Sequence, residues 1–450
     1  MLNVTSSTAD ATAGNFKLGA LSFPERVIYW TIVLTPLWWL SGLQTLLYPA
    51  IAVFLLVVTF DLDKIIRKPL PVCVWAWLAM SLVMLWTATI GLSNVGFGFQ
   101  KTAGAGVTLL KSYFLIFTCL TLPFWSQIRV RVVTRAVAWM STGYLVTIAV
   151  ELAMLFLKIG KSGFMPPLTR LIPGDKLSLK VTFAEFQPFF GIPFPRTVLY
   201  TPDPPIVGVC TILCLFICLG ETDRRLRNFA LTGCLVGLLL SFSRSAWMCL
   251  PLSLLIMTCF RSRWVRQSSL WGASFTSLLC ALLGLTFSQL INRFQEFFTS
   301  ARAESSKDRE LVVRKTIEAW QESPWLGWGI IQGSVKWYTY DIALGSFSTY
   351  TSVLYLHGIV GFIVFVTALA STLWSFWQPA VQGNPLGKRA LASLVALYVM
   401  CNATPLTWMT VYFWFFFVWL GAILCEIQPP QGVITSWDQL SGGSGNPNDY

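Results

Sequence analysis

One histidine stands among the 450 residues of the chain. His357 lies in GSFSTYTSVLYLHGIVG, residues 345–361, where hydroxyl-bearing side chains lead into an apolar run. An imidazole in that setting could serve as a general base near neutral pH. A second chemistry is suggested by charges placed where charge is costly. Lys111 interrupts GVTLLKSYFLIF, Glu151 lies in AVELAMLF, and Arg244 lies in LLLSFSRSAWMCL. An ionised group inside an apolar span normally faces a cavity or a partner. Arg244 sits at a turn too short for a loop, among Ser241, Ser243 and Ser245, whose hydroxyls can satisfy exposed backbone groups. A guanidinium fork suits phosphate oxygens and keeps its charge in low dielectric. Arg309, in ESSKDRELVVRKTIEAWQESPWLGWG, and Arg196, in GIPFPRTVLYTPDPP, could converge with Arg244 on one anion.

Such groups must be held by membrane helices. The chain is 55% hydrophobic and 12% charged, against about 25% charged in a soluble domain. Apolar runs recur from residue 27 to 425, each near the roughly 20 residues that cross a bilayer. We read twelve spans, at 27–43, 44–60, 71–93, 104–124, 133–157, 205–220, 228–242, 245–260, 269–287, 349–375, 390–404 and 407–425. Basic clusters such as Lys64, Arg67 and Lys68, or Arg129, Arg131 and Arg135, follow even-numbered spans. By the positive-inside rule, those loops and both termini are cytoplasmic. The net charge of +12 is thus a membrane signal and implies no nucleic acid. The opening MLNVTSSTADATAGNFKLGA lacks the basic-then-apolar pattern of a cleavable signal peptide.

The fold class is therefore an all-α polytopic membrane protein with about 12 transmembrane helices. A cytoplasmic segment, 1–26, precedes spans 1–9 over 27–287, which include an outer loop at 158–204. A large outer loop, 288–348, separates helices 9 and 10; spans 10–12 cover 349–425, and a disordered cytoplasmic tail covers 426–450. In the large loop, Ser305 and Asp308 have capping-box spacing, Val313, Ile317 and Trp320 form a helical stripe, and Pro324 is a stop. This predicts an amphipathic helix on the membrane surface. All eleven cysteines fall in apolar runs, so a disulfide framework or a zinc site is not expected. LSNVGFGFQKT holds no carboxylate and Asp203 is isolated in its loop; no metal and no cofactor are expected.

Taken in order, SRSAW (Ser243–Trp247), Arg309–Val313, PWLGWG (Pro324–Gly329) and the GSFSTY entry into a span ending in G-x-x-G (Gly345–Gly361) form a pattern. It resembles the O-antigen ligase and polymerase family, best over residues 196–362. The resemblance implies a GT-C-like fold and transfer of a glycan from an undecaprenyl-pyrophosphate carrier to an acceptor glycolipid or glycan. The reaction would occur at the outer face of the cytoplasmic membrane, without metal. It carries over Arg244 and Arg309 as catalytic pyrophosphate ligands and Arg196 as a further ligand, with the acceptor near Ser346, Ser348 and Tyr350. Family members read GSHSTY where this chain has Phe347, and the family histidine acts on the acceptor hydroxyl. His357 stands ten residues further on, about 15 Å along a helix and on another face. It is expected to be a buried polar residue or to bond a neighbouring helix. Leaving-group stabilisation can then carry the reaction without a strong base. The same arginines would also serve a transporter of a small anion or lipid-linked sugar, or a non-catalytic member of a polysaccharide export complex. The long outer loops and the lack of an internal repeat favour a transferase.

Overall fold

Proline, and backbone that leaves helical geometry, cut the apolar runs into more helices than spans. The computed structural model describes residues 19, 21–61, 69–158, 163–166, 169, 179–189, 192–282, 303–337 and 340–427. The basic loop Lys64–Lys68, the end of the ninth span, the start of the large loop and the tail from 428 lie outside the described residues.

Helix α1 (Phe23–Val33) starts on a capping box, in which Ser22 and Glu25 each satisfy the other's backbone N–H. The chain restarts at once as α2 (Thr35–Ser41), because Pro36 lacks the N–H that would continue α1. Then come α3 (Gln44–Val58) and α4 (Val72–Val95). The expected fourth span is two helices, α5 (Phe99–Lys111) and α6 (Tyr113–Ser126), broken at Ser112. After α7 (Val130–Phe156), the first long loop forms two antiparallel hairpins. These are β1 (Gly163–Phe164) with β2 (Val181–Thr182), and β3 (Glu185–Phe189) with β4 (Ile192–Arg196). Next are α8 (Pro204–Cys218), α9 (Arg224–Leu240), α10 (Arg244–Arg261) and α11 (Arg263–Leu282). The second long loop carries α12 (Ala303–Glu322) and a hairpin of β5 (Ser334–Trp337) and β6 (Tyr340–Ala343). The chain closes with α13 (Thr349–Val381), α14 (Pro385–Met400), α15 (Leu406–Met409), a 3-10 turn (Thr410–Phe413) and α16 (Trp414–Ile427).

Among the described residues, five stretches are long and apolar enough to cross a bilayer: Val72–Val95, Phe99–Ser126, Val130–Phe156, Thr349–Val381 and Leu406–Ile427. Gln44–Val58, Pro204–Cys218 and Arg244–Phe260 are shorter apolar helices. The molecule is a mostly helical, multi-pass membrane protein. Helices dominate as expected of an all-α membrane protein, and among the described residues the loops add three two-stranded hairpins. Helix α16 is the centre of the bundle, with every residue from Trp414 to Leu424 buried, as befits a helix that is apolar all round.

The amphipathic helix α12 is present, with two corrections. It already runs from Ala303, so Ser305 lies inside it. Its buried positions are Val312 and Thr316, while Ile317 is exposed. The inward face is therefore turned by one residue from the expected stripe, and Arg309, one turn before Val312, lies on it. The turn is set by Thr316, whose hydroxyl donates to the Val312 carbonyl (2.7 Å) and accepts from the backbone N–H of Gly345 (3.0 Å).

Ion pairs gather at one end of the bundle. Arg129 Nε donates to the buried Glu25 carboxylate at 2.7 Å, and Arg135 donates to buried Glu221 at 2.9 Å. The backbone N–H of Val130 donates to Glu426. Arg135→Ala strands the Glu221 carboxylate and is expected to cost about 2–4 kcal/mol. Breaking the exposed Arg314–Glu318 pair should cost under about 0.5 kcal/mol. Thermal unfolding of the two variants in detergent checks the contrast.

Candidate active site at the opposite end of the bundle

Helix α8 begins at the other end of the bundle and runs to this ion-paired one, about 22 Å away for its 15 residues. Asp203 occupies its N-cap position, with its backbone carbonyl accepting from the Ile206 N–H at 3.0 Å. One turn on, a Cβ added to Gly208 would lie 2.6 Å from Ala246 Cβ and 2.9 Å from Ser243 Cβ. The N-terminal turns of α8 and α10 are therefore in direct contact, and Arg244, the first residue of α10, belongs to the same end as Asp203.

The SFSRSAW turn is built by its own hydroxyls and rings. Ser241 ends α9, and its Oγ accepts from the Ser243 N–H at 3.2 Å. Phe242 takes a left-handed φ of 46°, which reverses the chain within one residue. Trp247 Nε1 then donates to the Leu238 carbonyl at 2.9 Å. The β3–β4 hairpin docks on this turn. Phe189 and Phe194 pack against Phe242 at tilted angles with centroids 5.2 and 5.3 Å away, and Phe189 also meets Trp247 at 5.7 Å. Arg196, buried at the end of β4, donates from Nε to the Ser241 carbonyl (2.6 Å) and from Nη1 to Gln187 (2.8 Å). Glu151 anchors the next residues. Its carboxylate accepts from the Thr197 hydroxyl and from the Leu199 N–H at 3.1 Å. Arg196 and Glu151 thus hold the loop that frames Arg244, which is half-buried.

Arg309 comes to the same end from the second long loop. Its Nη1 reaches the Ala403 carbonyl at 3.4 Å, and its guanidinium carbon lies 5.1 Å above the centre of the Phe347 ring. Burial pulls its pKa below the ordinary arginine value, and the negative charge of Asp203 acts in the opposite sense. Sequence reasoning missed this quartet of Arg309, Phe347, Asp203 and Ala403, because its members come from four segments and carry no joint spacing.

The remaining predicted residues divide. Ser346 Oγ donates to the Ala343 carbonyl at 2.6 Å, Ser348 is the buried N-cap residue of α13, and Tyr350 donates its hydroxyl to the Tyr398 carbonyl at 2.8 Å. The Ser346 and Tyr350 hydroxyls are thus engaged with backbone. Lys111 lies half-buried beside the α5–α6 break. Among the described residues, no three His, Cys, Asp or Glu side chains gather as a metal site.

The PWLGWG motif has a mechanical role. Helix α13 is interrupted at Gly358, and the motif plugs the gap. The N–H groups of Trp328 and Gly329 donate to the Tyr355 and Leu356 carbonyls at 2.9 and 2.8 Å. The Pro324 and Trp325 carbonyls accept from Ile359 and Val360 at 2.9 and 3.2 Å. Two carbonyls before the break and two N–H groups after it thereby find new partners, as a membrane interior requires. His357 sits buried at this break. Its Nδ1 is 2.7 Å from the Thr87 hydroxyl of α4, and its Nε2 has no partner among the described residues.

Together these features define a polytopic helical membrane protein with arginines from two long-loop systems converging on one end. The model of the O-antigen ligase family matches residues 229–366. That stretch contains Arg244, Arg309, PWLGWG, Phe347 and His357, and leaves Arg196 outside. No curated protein matches the chain.

Proposed function

We propose that this protein transfers a glycan in surface-polysaccharide biosynthesis, from a polyprenyl-pyrophosphate carrier to an acceptor sugar at the outer face of the cytoplasmic membrane. The observation that carries the reading is the approach of Arg309, from the family-matched loop, to the end of the bundle where α8 and α10 begin. Helix N-termini and guanidinium groups both favour phosphate oxygens. The ion-paired end, with Arg129 and Arg135, would then be cytoplasmic.

In the reaction an acceptor hydroxyl oxygen attacks the anomeric carbon from the face opposite the carrier. The new C–O bond forms as the bond to pyrophosphate breaks, the leaving group keeps the electron pair, and the hydroxyl proton passes to water. Arg244 and Arg309 stabilise the charge on the departing pyrophosphate, the role usually worth most in such a step. Cationic side chains supply this stabilisation, so the reaction proceeds without metal. Arg196 holds the SFSRSAW turn in place, and the acceptor lies near Ser346 and Ser348.

The test is transfer by the purified protein in lipid nanodiscs, given a polyprenyl-pyrophosphate glycan and candidate acceptors in EDTA. Elongated or ligated product is expected. Binding of the carrier with no product from any acceptor would favour transport. His357 has no part in this scheme. Thr87→Val removes its partner and is expected to cost about 1–2 kcal/mol of stability, seen as a lower Tm, with the transfer rate per folded molecule unchanged.

A further inference from the structure

Phe347 stands where the family pattern has a histidine, and its surroundings give it a definite task. The chain is clamped two residues to either side. Before it, the Gly345 N–H is held by Thr316 of α12, on the inward face that carries Arg309. After it, Thr349 donates its N–H to the Cys401 carbonyl (2.8 Å) and its hydroxyl to the Thr404 carbonyl (2.8 Å), and accepts from the Leu406 N–H (2.8 Å). The turn at Cys401–Thr404 also supplies the Ala403 carbonyl that Arg309 meets. The ring and the guanidinium are therefore registered against the same two elements, α12 and the α14–α15 turn.

The face of a phenyl ring is electronegative and attracts a cation resting on it. Phenyl also never titrates, whereas an imidazole 5.1 Å from a guanidinium would repel it once protonated. We propose that Phe347 is a positioning residue, whose ring holds the Arg309 guanidinium flat at the end of the bundle so that its outer N–H groups stay aimed at the pyrophosphate. This rests on the transferase reading for the identity of the anion. It gives position 347 a role in donor binding in place of proton transfer.

The test uses the full-length protein in nanodiscs with polyprenyl pyrophosphate lacking any glycan as the binding probe, followed by transfer kinetics. Phe347→Leu keeps apolar volume and removes the ring face. It is expected to weaken binding of the probe about three- to thirtyfold, the range of a cation–π contact, and to raise the donor KM by the same factor. Phe347→Tyr keeps the ring and should stay within about twofold of the parent, because a phenol presents the same six-membered ring face to the cation. In an Arg309→Ala background, Phe347→Leu should add nothing. The inference is overturned if Phe347→Leu binds like the parent, if Phe347→Tyr is as weak as Phe347→Leu, or if the Phe347→Leu loss persists without Arg309. Binding that depends on Phe347 and Arg309, with no transfer from the parent, would sink the transferase reading and leave this inference standing. Transfer indifferent to Phe347 would do the reverse. A parent that does not bind the probe would end both.

Discussion

Arg309→Ala is expected to lower glycan transfer by about 10²- to 10³-fold, the usual effect of removing a group that stabilises a leaving anion. The side chain lies on the inward face of α12, over Phe347 and within reach of the Ala403 carbonyl. Its guanidinium is buried enough to feel the loss of solvent, so its field at the site is weakly screened. The fold should survive the change. The bond to Ala403 is long at 3.4 Å, alanine is the best helix former, and the nearby charge of Asp203 has access to solvent. Arg309→Lys should recover less than about tenfold of the loss, because an ammonium offers one point charge where a planar fork offers paired donors. Initial rates in nanodiscs, with Tm as the folding control, decide it. A variant that keeps more than about a third of the rate would remove Arg309 from the mechanism.

Gly358→Ala is expected to destabilise the protein by about 3–6 kcal/mol and to abolish transfer along with the fold of the second long loop. Two costs add. Gly358 has φ 63° and ψ −165°, a region that essentially only glycine enters, at about 1–3 kcal/mol for other residues. A Cβ there would also stand 2.2 Å from the Trp325 carbonyl oxygen, which must retreat and take the Ile359 and Val360 bonds with it. Each N–H left bare inside the membrane costs about 1–3 kcal/mol. Gly329 is constrained in the same way, since its Cβ would meet the Thr87 carbonyl oxygen at 1.9 Å. Gly383→Ala is the control. It has φ 91° but open space around it, so backbone strain alone should cost about 1–2 kcal/mol. Unfolding temperatures of the two variants in one detergent separate the clash from the strain.

Some of this was legible in the residues and some was not. The apolar runs gave helices close to where periodicity and length put them, because exclusion of water forces the backbone to bond within itself. The break at Ser112 was not legible, since no proline or glycine marks it. The register of α12 was misjudged by one residue because its buried face includes a threonine, and only the Gly345 N–H explains why a hydroxyl points inward. PWLGWG was legible as a motif and silent as to purpose, because its partners are the backbone atoms of a broken helix. His357, the sole imidazole, was expected to be a buried polar residue or to bond a neighbouring helix; it is buried and bonds Thr87.

By itself the sequence determined that this is a multi-pass helical membrane protein, which charges are costly enough to need an explanation, and which family pattern they follow. Those are properties of composition, order and local spacing, and each is set by how single segments meet water or lipid. Tertiary structure alone decided which of those charges meet. It sent Arg196 and Glu151 to hold a loop, placed Arg309 on Phe347 near Asp203, and buried His357 at a helix break. Such assignments depend on contacts between segments as much as 270 residues apart, as Thr87 and His357 are, made by whichever packing satisfies the most backbone groups and buries the most apolar surface, and no local pattern encodes that choice.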